Sequence, residues 1–220
     1  MSERNVIVGV TGASGAIYAK AVIRELLALS QTVHLIPTVH SDRIWHNELE
    51  VRGDSDIVER GAMLTDWNDR LSLSAGEMDR LIVYEDRNIE ALPASGTFWA
   101  RAMIVVPCSM NTLARIAHGM ADTLLTRAAG VSLKERRPLI LVPRETPLSL
   151  VDLRNLVAVA EAGAVVLPAM PAFYQRPATI EDLVHHLVSK VCDQLGLPCT
   201  QPVRYSGARP APPEGPAPKP

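Results

Sequence analysis

Short apolar runs alternate with longer amphipathic stretches along this chain, and few folds accommodate that alternation. The short runs are rich in valine, isoleucine and leucine at consecutive positions, which is typical of strands buried on both faces of a parallel sheet. The longer stretches carry apolar residues near helical spacing. The predicted strands are Val6–Val10, Thr32–Ile36, Leu81–Tyr84, Met103–Val106, Leu139–Val142 and Ala164–Leu167. The predicted helices are Ala16–Leu29, two helices within 39–64 that break near Gly53, helices near 110–118 and 122–135, Leu150–Ala162 and Ile180–Leu195.

This pattern predicts an α/β protein with a Rossmann- or flavodoxin-like three-layer sandwich and a mostly parallel sheet. In such folds ligands bind beyond the carboxyl ends of the strands. The residues that directly follow each predicted strand are therefore the candidate functional residues.

Length and composition predict one domain and a tail. The chain has 220 residues, of which 47% are hydrophobic, enough to bury a sizeable core. We expect residues 1–205 to form the domain and the proline-rich residues 206–220 to be a disordered or extended tail. The net charge of −2 argues against a nucleic acid or an anionic membrane as partner. Because no signal-peptide or membrane-span pattern is visible and the three cysteines show no Cys-x-x-Cys spacing, we expect a cytoplasmic protein.

The turn after the first strand predicts a phosphate site. It spans Gly9–Gly15 and has the sequence GVTGASG. Glycines allow a tight turn and a close approach of the backbone to a ligand. The following helix offers free N–H groups and a positive dipole end to an anion, and Ser14 adds a hydroxyl group. A strand–helix turn that binds nothing would have a similar sequence.

A short-chain dehydrogenase would carry a similar first turn, but it would also need a Tyr-x-x-x-Lys pair. The residues four positions after Tyr18, Tyr84, Tyr174 and Tyr205 are Val22, Asn88, Ala178 and Arg209, and none is lysine. The second strand is followed by Thr38 instead of the acidic residue that would bind a dinucleotide ribose. A mononucleotide is therefore favoured over NAD.

Later strands are also followed by polar residues. They are Ser95–Thr97 in the loop after the third strand, Ser109–Thr112 after the fourth, and Arg144-Glu145 between two prolines after the fifth. Ser109 could serve simply as a helix cap, and the acid–base pair could be a surface ion pair. Arg127 and Lys134 lie two turns apart on one predicted helix face. The six histidines show no metal-binding spacing, so no metal site is expected.

Together these segments resemble the flavin prenyltransferase (UbiX-like) family, formerly described as aromatic-acid decarboxylases. The resemblance runs from about Val6 to Tyr205. It rests on VTGASGAIY (10–18), PASGT (93–97), PCSMNTLARIAHG (107–119), LLTRAAGVSLKERRPLILVPRETPL (124–148) and GAVVLPAMPAFYQRPATIEDLV (163–184).

The resemblance implies a metal-independent reaction on reduced FMN. Dimethylallyl phosphate supplies a prenyl group, a bond forms to flavin N5 as phosphate leaves, and a ring then closes at C6. The product serves a UbiD-like decarboxylase. The resemblance also implies a homododecamer with sites between subunits.

The resemblance further implies roles for individual residues. The expected catalytic residues are Ser14, Glu48 and Glu145. The expected flavin-binding residues are Gly12, Ala13, Ser14, Thr38, Ser109, Met110, Asn111, Thr112 and Arg144, with Arg127 supporting the site. The expected prenyl phosphate-binding residues are Lys134, Arg144, Tyr174 and Lys190.

This sequence departs from the family pattern at three places. A Ser-Lys pair after the second strand is replaced by Thr38-Val39, the last serine of Ser-Gly-Ser by Thr97, and a C-terminal tryptophan by Tyr205. Two other functions stay open. One is a flavin-dependent cysteine decarboxylase, for which His40 or His46 would be the active-site histidine, and the other is an FMN carrier.

The segment 39–64 also predicts self-association, because its apolar residues would form an exposed patch on a monomer. These residues are Ile44, Trp45, Leu49, Ile57, Met63 and Leu64.

Overall fold

The computed structural model describes residues 4–49 and 67–204. The strands are β1 (Asn5–Val10), β2 (Thr32–Pro37), β3 (Leu81–Val83), β4 (Ala102–Cys108), β5 (Leu139–Pro143) and β6 (Val165–Val166). They form one parallel sheet in the order β3-β2-β1-β4-β5-β6. The predicted doubly wound α/β fold is thereby confirmed, with its topological switch point between β1 and β4, where such folds bind ligands.

Helices cover both faces of the sheet. They are α1 (Ala16–Ala28), α2 (Val39–Leu49), α3 (Trp67–Leu71), α4 (Ala75–Met78), α5 (Met110–Ala117), α6 (Leu124–Lys134), α7 (Leu150–Glu161) and α8 (Ile180–Leu195). The short helices α3 and α4 and a 3-10 turn at Leu92–Ala94 were not predicted, because one or two turns give too little periodicity to detect.

Two hydrophobic cores result from the alternation of side chains along each strand. In β1, Val6 and Val8 pack on the face covered by α1 and α8, whereas Ile7 packs on the face covered by α5, α6 and α7. All three side chains are almost fully buried. Consecutive residues of these strands are apolar because both faces of the sheet are buried.

The prediction of an exposed patch on 39–64 is wrong for its central residue. Trp45 is completely buried and lies 4.7 Å, centroid to centroid, from Trp67 at an angle of 73°. Ile44 and Leu49 are half-buried. The tryptophan belongs to the core on the α1–α8 face and packs against Trp67 of α3, a contact with no local signal in the sequence. Ile57, Met63 and Leu64, the expected break near Gly53, Tyr205 and the tail 206–220 lie outside the described residues.

Several of the exposed apolar side chains lie on α7 and in the loop after β6. They are Leu150, Val151, Leu153, Val157, Met170 and Phe173. In the part of the chain that the structure describes, no helix combines the length and apolar character that a membrane crossing requires.

A buried histidine in β2 makes stability depend on pH. His34 is 3% exposed and forms hydrogen bonds with the Tyr84 hydroxyl group at 2.9 Å and with Asn5 Oδ1 at 3.3 Å. Burial lowers its pKa from 6.5 to about 4. The unfolded chain therefore takes up a proton before the folded protein does. The free energy of unfolding should fall as the pH drops from 6.5 toward 4, by about 3 kcal/mol in total.

The measurement is denaturant unfolding at several pH values for the wild type and for His34→Gln. The variant should lack this component of the pH dependence between pH 6.5 and 4. A variant that loses stability with pH as steeply as the wild type would exclude His34 as the cause.

Candidate functional site

The turn between β1 and α1 is shaped by two glycines and one distant carboxylate. Gly15 has a φ of +116°, a conformation that favours glycine. At Gly12 a Cβ atom would lie 2.6 Å from the Cβ of His40, so α2 can approach only because no side chain is present. Glu48 Oε2 accepts the backbone N–H groups of Gly15 and Ala16, each at 2.8 Å. Glu48 thus caps α1 and holds the turn against α2, so the N–H groups of Gly15 and Ala16, predicted to be free for an anion, are occupied by a carboxylate of the same chain.

Thr11 joins the two halves of the sheet at the switch point. Its hydroxyl group donates to the Pro107 carbonyl oxygen at 2.7 Å and accepts from the Ser109 backbone N–H at 2.9 Å. The side chain is 2% exposed, so these hydrogen bonds are shielded from water. Thr11 therefore fixes the spacing between the turn after β1 and the turn after β4.

The start of α5 combines helix capping with a polar surface. Ser109 Oγ accepts the Thr112 backbone N–H at 3.2 Å, so the predicted capping role is observed. Ser109, Asn111 and Thr112 line a cavity, while Met110 is buried in the core beneath them. Capping and cavity lining coexist at Ser109, and Met110 would act through packing.

The cavity has a volume of about 930 Å³ and opens at the carboxyl ends of β1, β2, β3 and β4. This volume is typical of a site for a cofactor-sized ligand. The predicted site residues in its lining are Gly12, Thr38, Ser109, Asn111 and Thr112. His40 also lies in the lining.

Asp86 is a cavity residue that the sequence reasoning missed. It is 8% exposed, its Oδ1 accepts the Leu125 backbone N–H at 2.9 Å, and its carbonyl oxygen accepts from Leu124. Burial raises the pKa of its carboxyl group, while hydrogen bonds from Leu125 and Thr123 oppose that shift. Asp86 thus fastens the loop after β3 to the first turn of α6. Its position after a strand was the available signal.

Arg144 connects the end of β5 to the first turn. Its Nε donates to the Ser14 carbonyl oxygen at 3.1 Å. Glu145 is exposed and its Oε1 accepts the Thr146 backbone N–H at 3.0 Å. Within the described residues Arg144 and Glu145 form no ion pair, so the alternative of a plain surface pair does not describe this motif.

The remaining predicted residues are not brought to the cavity of one chain. Arg127 and Lys190 are exposed on α6 and α8. Lys134 Nζ lies 3.6 Å from Glu135 Oε1, and Tyr174 lies 6.0 Å, ring to ring, from His186. Ala13 and Ser14, although part of the first turn, do not line the cavity. A single described chain therefore carries part of the predicted site on its outer surface.

The fold and this cavity are typical of α/β proteins that bind a nucleotide cofactor. The family model described as Flavoprotein matches residues 1–194. A flavin prenyltransferase UbiX from Synechocystis sp. is 42% identical over 201 residues, covering 91% of this chain and 95% of that protein. One from Pseudomonas aeruginosa is 37% identical, covering 88% and 90%. The chain belongs to the UbiX-type flavin prenyltransferase family.

Solved structures show the same similarity. A crystal structure of AnUbiX in complex with FMN and dimethylallyl pyrophosphate has a TM-score of 0.77 and 35% identity, covering 94% of this chain and all of that one. A dodecameric FMN-dependent UbiX-like decarboxylase from Escherichia coli has a TM-score of 0.77 and 38% identity, covering 93% and 100%. The FMN-dependent cysteine decarboxylase TvaF shares only the fold, with a TM-score of 0.52 and 15% identity over 84% of this chain and 98% of that one.

Gly12→Ala should destabilise the protein by about 1–3 kcal/mol and weaken ligand binding, because the new Cβ meets the His40 Cβ and the α2 backbone. Thermal unfolding and FMN titration measure the two effects. Gly76→Ala is the matched control, since an added Cβ there has no neighbour within 4 Å. Equal behaviour of the two variants would show that the close approach at Gly12 is unimportant.

Proposed function

We propose that this protein is a flavin prenyltransferase that transfers a dimethylallyl group from dimethylallyl phosphate to reduced FMN. The observation that carries the proposal is the cavity at the switch point, with Gly12, Thr38 and Ser109 in its lining. The proposed product is prenylated FMN, which a UbiD-like decarboxylase would use.

The residues of the cavity fit a flavin mononucleotide. Gly12 lies in the cavity lining, and its lack of a side chain lets His40 pack against the turn. The hydroxyl and amide groups of Thr38, Asn111 and Thr112 offer hydrogen bonds to a ligand. β2 ends at Pro37 and is followed by Thr38, where a dinucleotide site would need an acidic residue, which favours a mononucleotide over NAD. When bound, reduced FMN supplies N5 and then C6 as the nucleophilic atoms.

The prenyl phosphate is proposed to bind where several chains meet. Arg127, Lys134, Tyr174 and Lys190 lie on the outer surface of one chain, so the proposed phosphate site requires other copies to approach the cavity. The exposed apolar residues of α7 and the loop after β6 provide surface for such contacts. With the dodecameric relative, these observations support a homododecamer.

The proposed chemistry depends on cations and one carboxylate. Breaking the C–O bond of the prenyl phosphate requires that the negative charge on the leaving group be neutralised. Lys134, Arg144 and Lys190 would neutralise it, and the Tyr174 hydroxyl group would donate a hydrogen bond. This cluster would take the place of a metal ion. Glu145 would accept or donate the proton that moves as phosphate departs.

The test is to incubate the protein with reduced FMN and dimethylallyl phosphate and to weigh the flavin by mass spectrometry. We expect the mass to increase by one prenyl group. A parallel reaction with dimethylallyl pyrophosphate determines which donor is used. FMN that binds but stays unmodified with both donors would contradict the proposal and indicate a carrier. Oxidative decarboxylation of a cysteine-containing peptide would indicate the cysteine decarboxylase, and NAD binding as tight as FMN would contradict the cofactor assignment.

A further inference from the structure

Two of the three cysteines lie together on the α1–α8 face of the sheet. Cys192 is on α8, Cys199 follows that helix, and Glu25 is on α1. One ligand atom from each, two sulfurs and a carboxylate oxygen, lie within 4.8 Å of one another. None of the three residues lines the cavity at the switch point.

The chain after α8 folds back to bring these residues together. Gly196 ends the helix with a φ of +63°, and the Leu197 backbone N–H donates to the Cys192 carbonyl oxygen at 3.0 Å. Further along, Arg204 donates to both carboxylate oxygens of Asp193 at 2.7 and 2.9 Å. The position of Cys199 beside Cys192 is therefore set by several contacts and not by one flexible side chain.

Glu25 is also held in place. Its two carboxylate oxygens accept the backbone N–H and the hydroxyl group of Thr200, at 2.5 and 2.6 Å. Each carboxylate oxygen has two lone pairs, so one oxygen can accept from Thr200 and still coordinate a cation. The carboxylate is oriented toward the two thiols before any ion arrives.

The chemistry of the three groups suits a cation. A carboxylate and two deprotonated thiols all carry negative charge, and a divalent cation stabilises them together.

We propose that Glu25, Cys192 and Cys199 form a binding site for a thiophilic divalent cation such as Zn²⁺, which fastens the segment after α8 to α1. Zn–S bonds of about 2.3 Å and Zn–O bonds of about 2.0–2.2 Å in a tetrahedron place the ligand atoms roughly 3.5–3.8 Å apart. The cluster therefore needs to contract by roughly 1 Å. Cys199 is half-buried and Thr200 exposed, so a fourth, water ligand can enter from that side.

The binding step balances as one cation taken up and two thiol protons released, with no change in oxidation state. Two sulfurs and one oxygen favour Zn²⁺ or Cd²⁺ over Mg²⁺ or Ca²⁺, which prefer oxygen ligands. This site is independent of the proposed flavin chemistry. It was missed in the sequence because its ligands come from positions 25, 192 and 199, and the expectation of no metal rested on histidine and Cys-x-x-Cys spacing.

The test uses the full chain, reduced and treated with a chelator, and titrated with Cd²⁺ while the thiolate–cadmium absorption is recorded. We expect one Cd²⁺ per chain and its displacement by Zn²⁺. The apparent affinity for Cd²⁺ should fall about 100-fold for each unit by which the pH is lowered, because two protons compete with the metal. Cys192→Ser and Cys199→Ser should each remove the absorption band. Cys108→Ser is the matched control, since Cys108 is buried in the other core, and it should bind Cd²⁺ as the wild type does.

Glu25→Gln keeps a group that can hydrogen-bond to Thr200 but removes the charge, and it should weaken Cd²⁺ binding at least about 10-fold. The proposal is overturned if the reduced wild type shows no thiolate–cadmium band at one equivalent of metal. It is also overturned if the Cys192→Ser, Cys199→Ser double variant takes up as much Cd²⁺ as the wild type. A disulfide between the two cysteines that re-forms and excludes metal after reduction would also overturn it.

Discussion

Glu145→Gln should leave FMN affinity nearly unchanged and slow prenyl transfer by roughly 10²–10⁴-fold, the loss typical of an acid–base group. The amide preserves the shape of the side chain and can still accept the Thr146 N–H through its oxygen. It cannot exchange a proton with a departing phosphate. Single-turnover flavin spectra measure the transfer rate, and an FMN titration measures binding.

Glu161→Gln is the control for this substitution. It makes the same chemical change at the exposed last residue of α7. Glu145 precedes the other end of that helix. It should transfer at the wild-type rate. Wild-type transfer by Glu145→Gln would remove Glu145 from the proposed mechanism, and lost FMN binding would assign it a structural role.

Trp45→Ala should reduce the free energy of unfolding by about 3–5 kcal/mol, because it leaves a large cavity in the core. Trp45 is completely buried against Trp67, whose ring lies 5.3 Å below the Arg70 guanidinium carbon. Since α2 also carries Glu48, FMN affinity should fall together with stability. Denaturant unfolding and FMN titration measure the two changes.

The same truncation at Trp99, which is 44% exposed, is the control and should cost less than half as much stability. A Trp45→Ala protein as stable as the Trp99→Ala protein would show that the contact between α2 and α3 contributes little.

The alternating strands and helices of the parallel sheet could be predicted from the sequence. Contacts between residues distant in the sequence could not. Strands such as β1, apolar at consecutive positions, have that pattern because helices cover both faces, so the parallel sheet could be predicted. Trp45 gave no sign that α3 would cover it. Its burial involves a contact with Trp67, a residue distant in the sequence, which local periodicity does not describe.

The candidate site shows the same division. Thr38 and Ser109–Thr112 were found because every parallel strand ends at the same edge of the sheet. The resemblance named Glu48 as an active-site residue, but only the folded chain shows its carboxylate accepting two N–H groups of the first turn. Lys134, Tyr174 and Lys190 do not line the cavity of the described chain, and in the proposed function their site would be completed by other copies of the chain. The contacts of Glu48 thus depend on long-range geometry, which the sequence pattern does not describe.

The contact of Glu48 with the start of α1 has a consequence for how ligand binding is organised. An empty anion site at a helix start normally leaves its N–H groups to water, and the loop must become ordered when the ligand arrives. Here a carboxylate of the same chain satisfies Gly15 and Ala16 in advance, and Arg144 holds Ser14 from the other side. The turn is therefore ordered before a ligand arrives, which removes the entropic cost of ordering it, and a ligand must bind through groups of the turn other than the two N–H groups that Glu48 occupies.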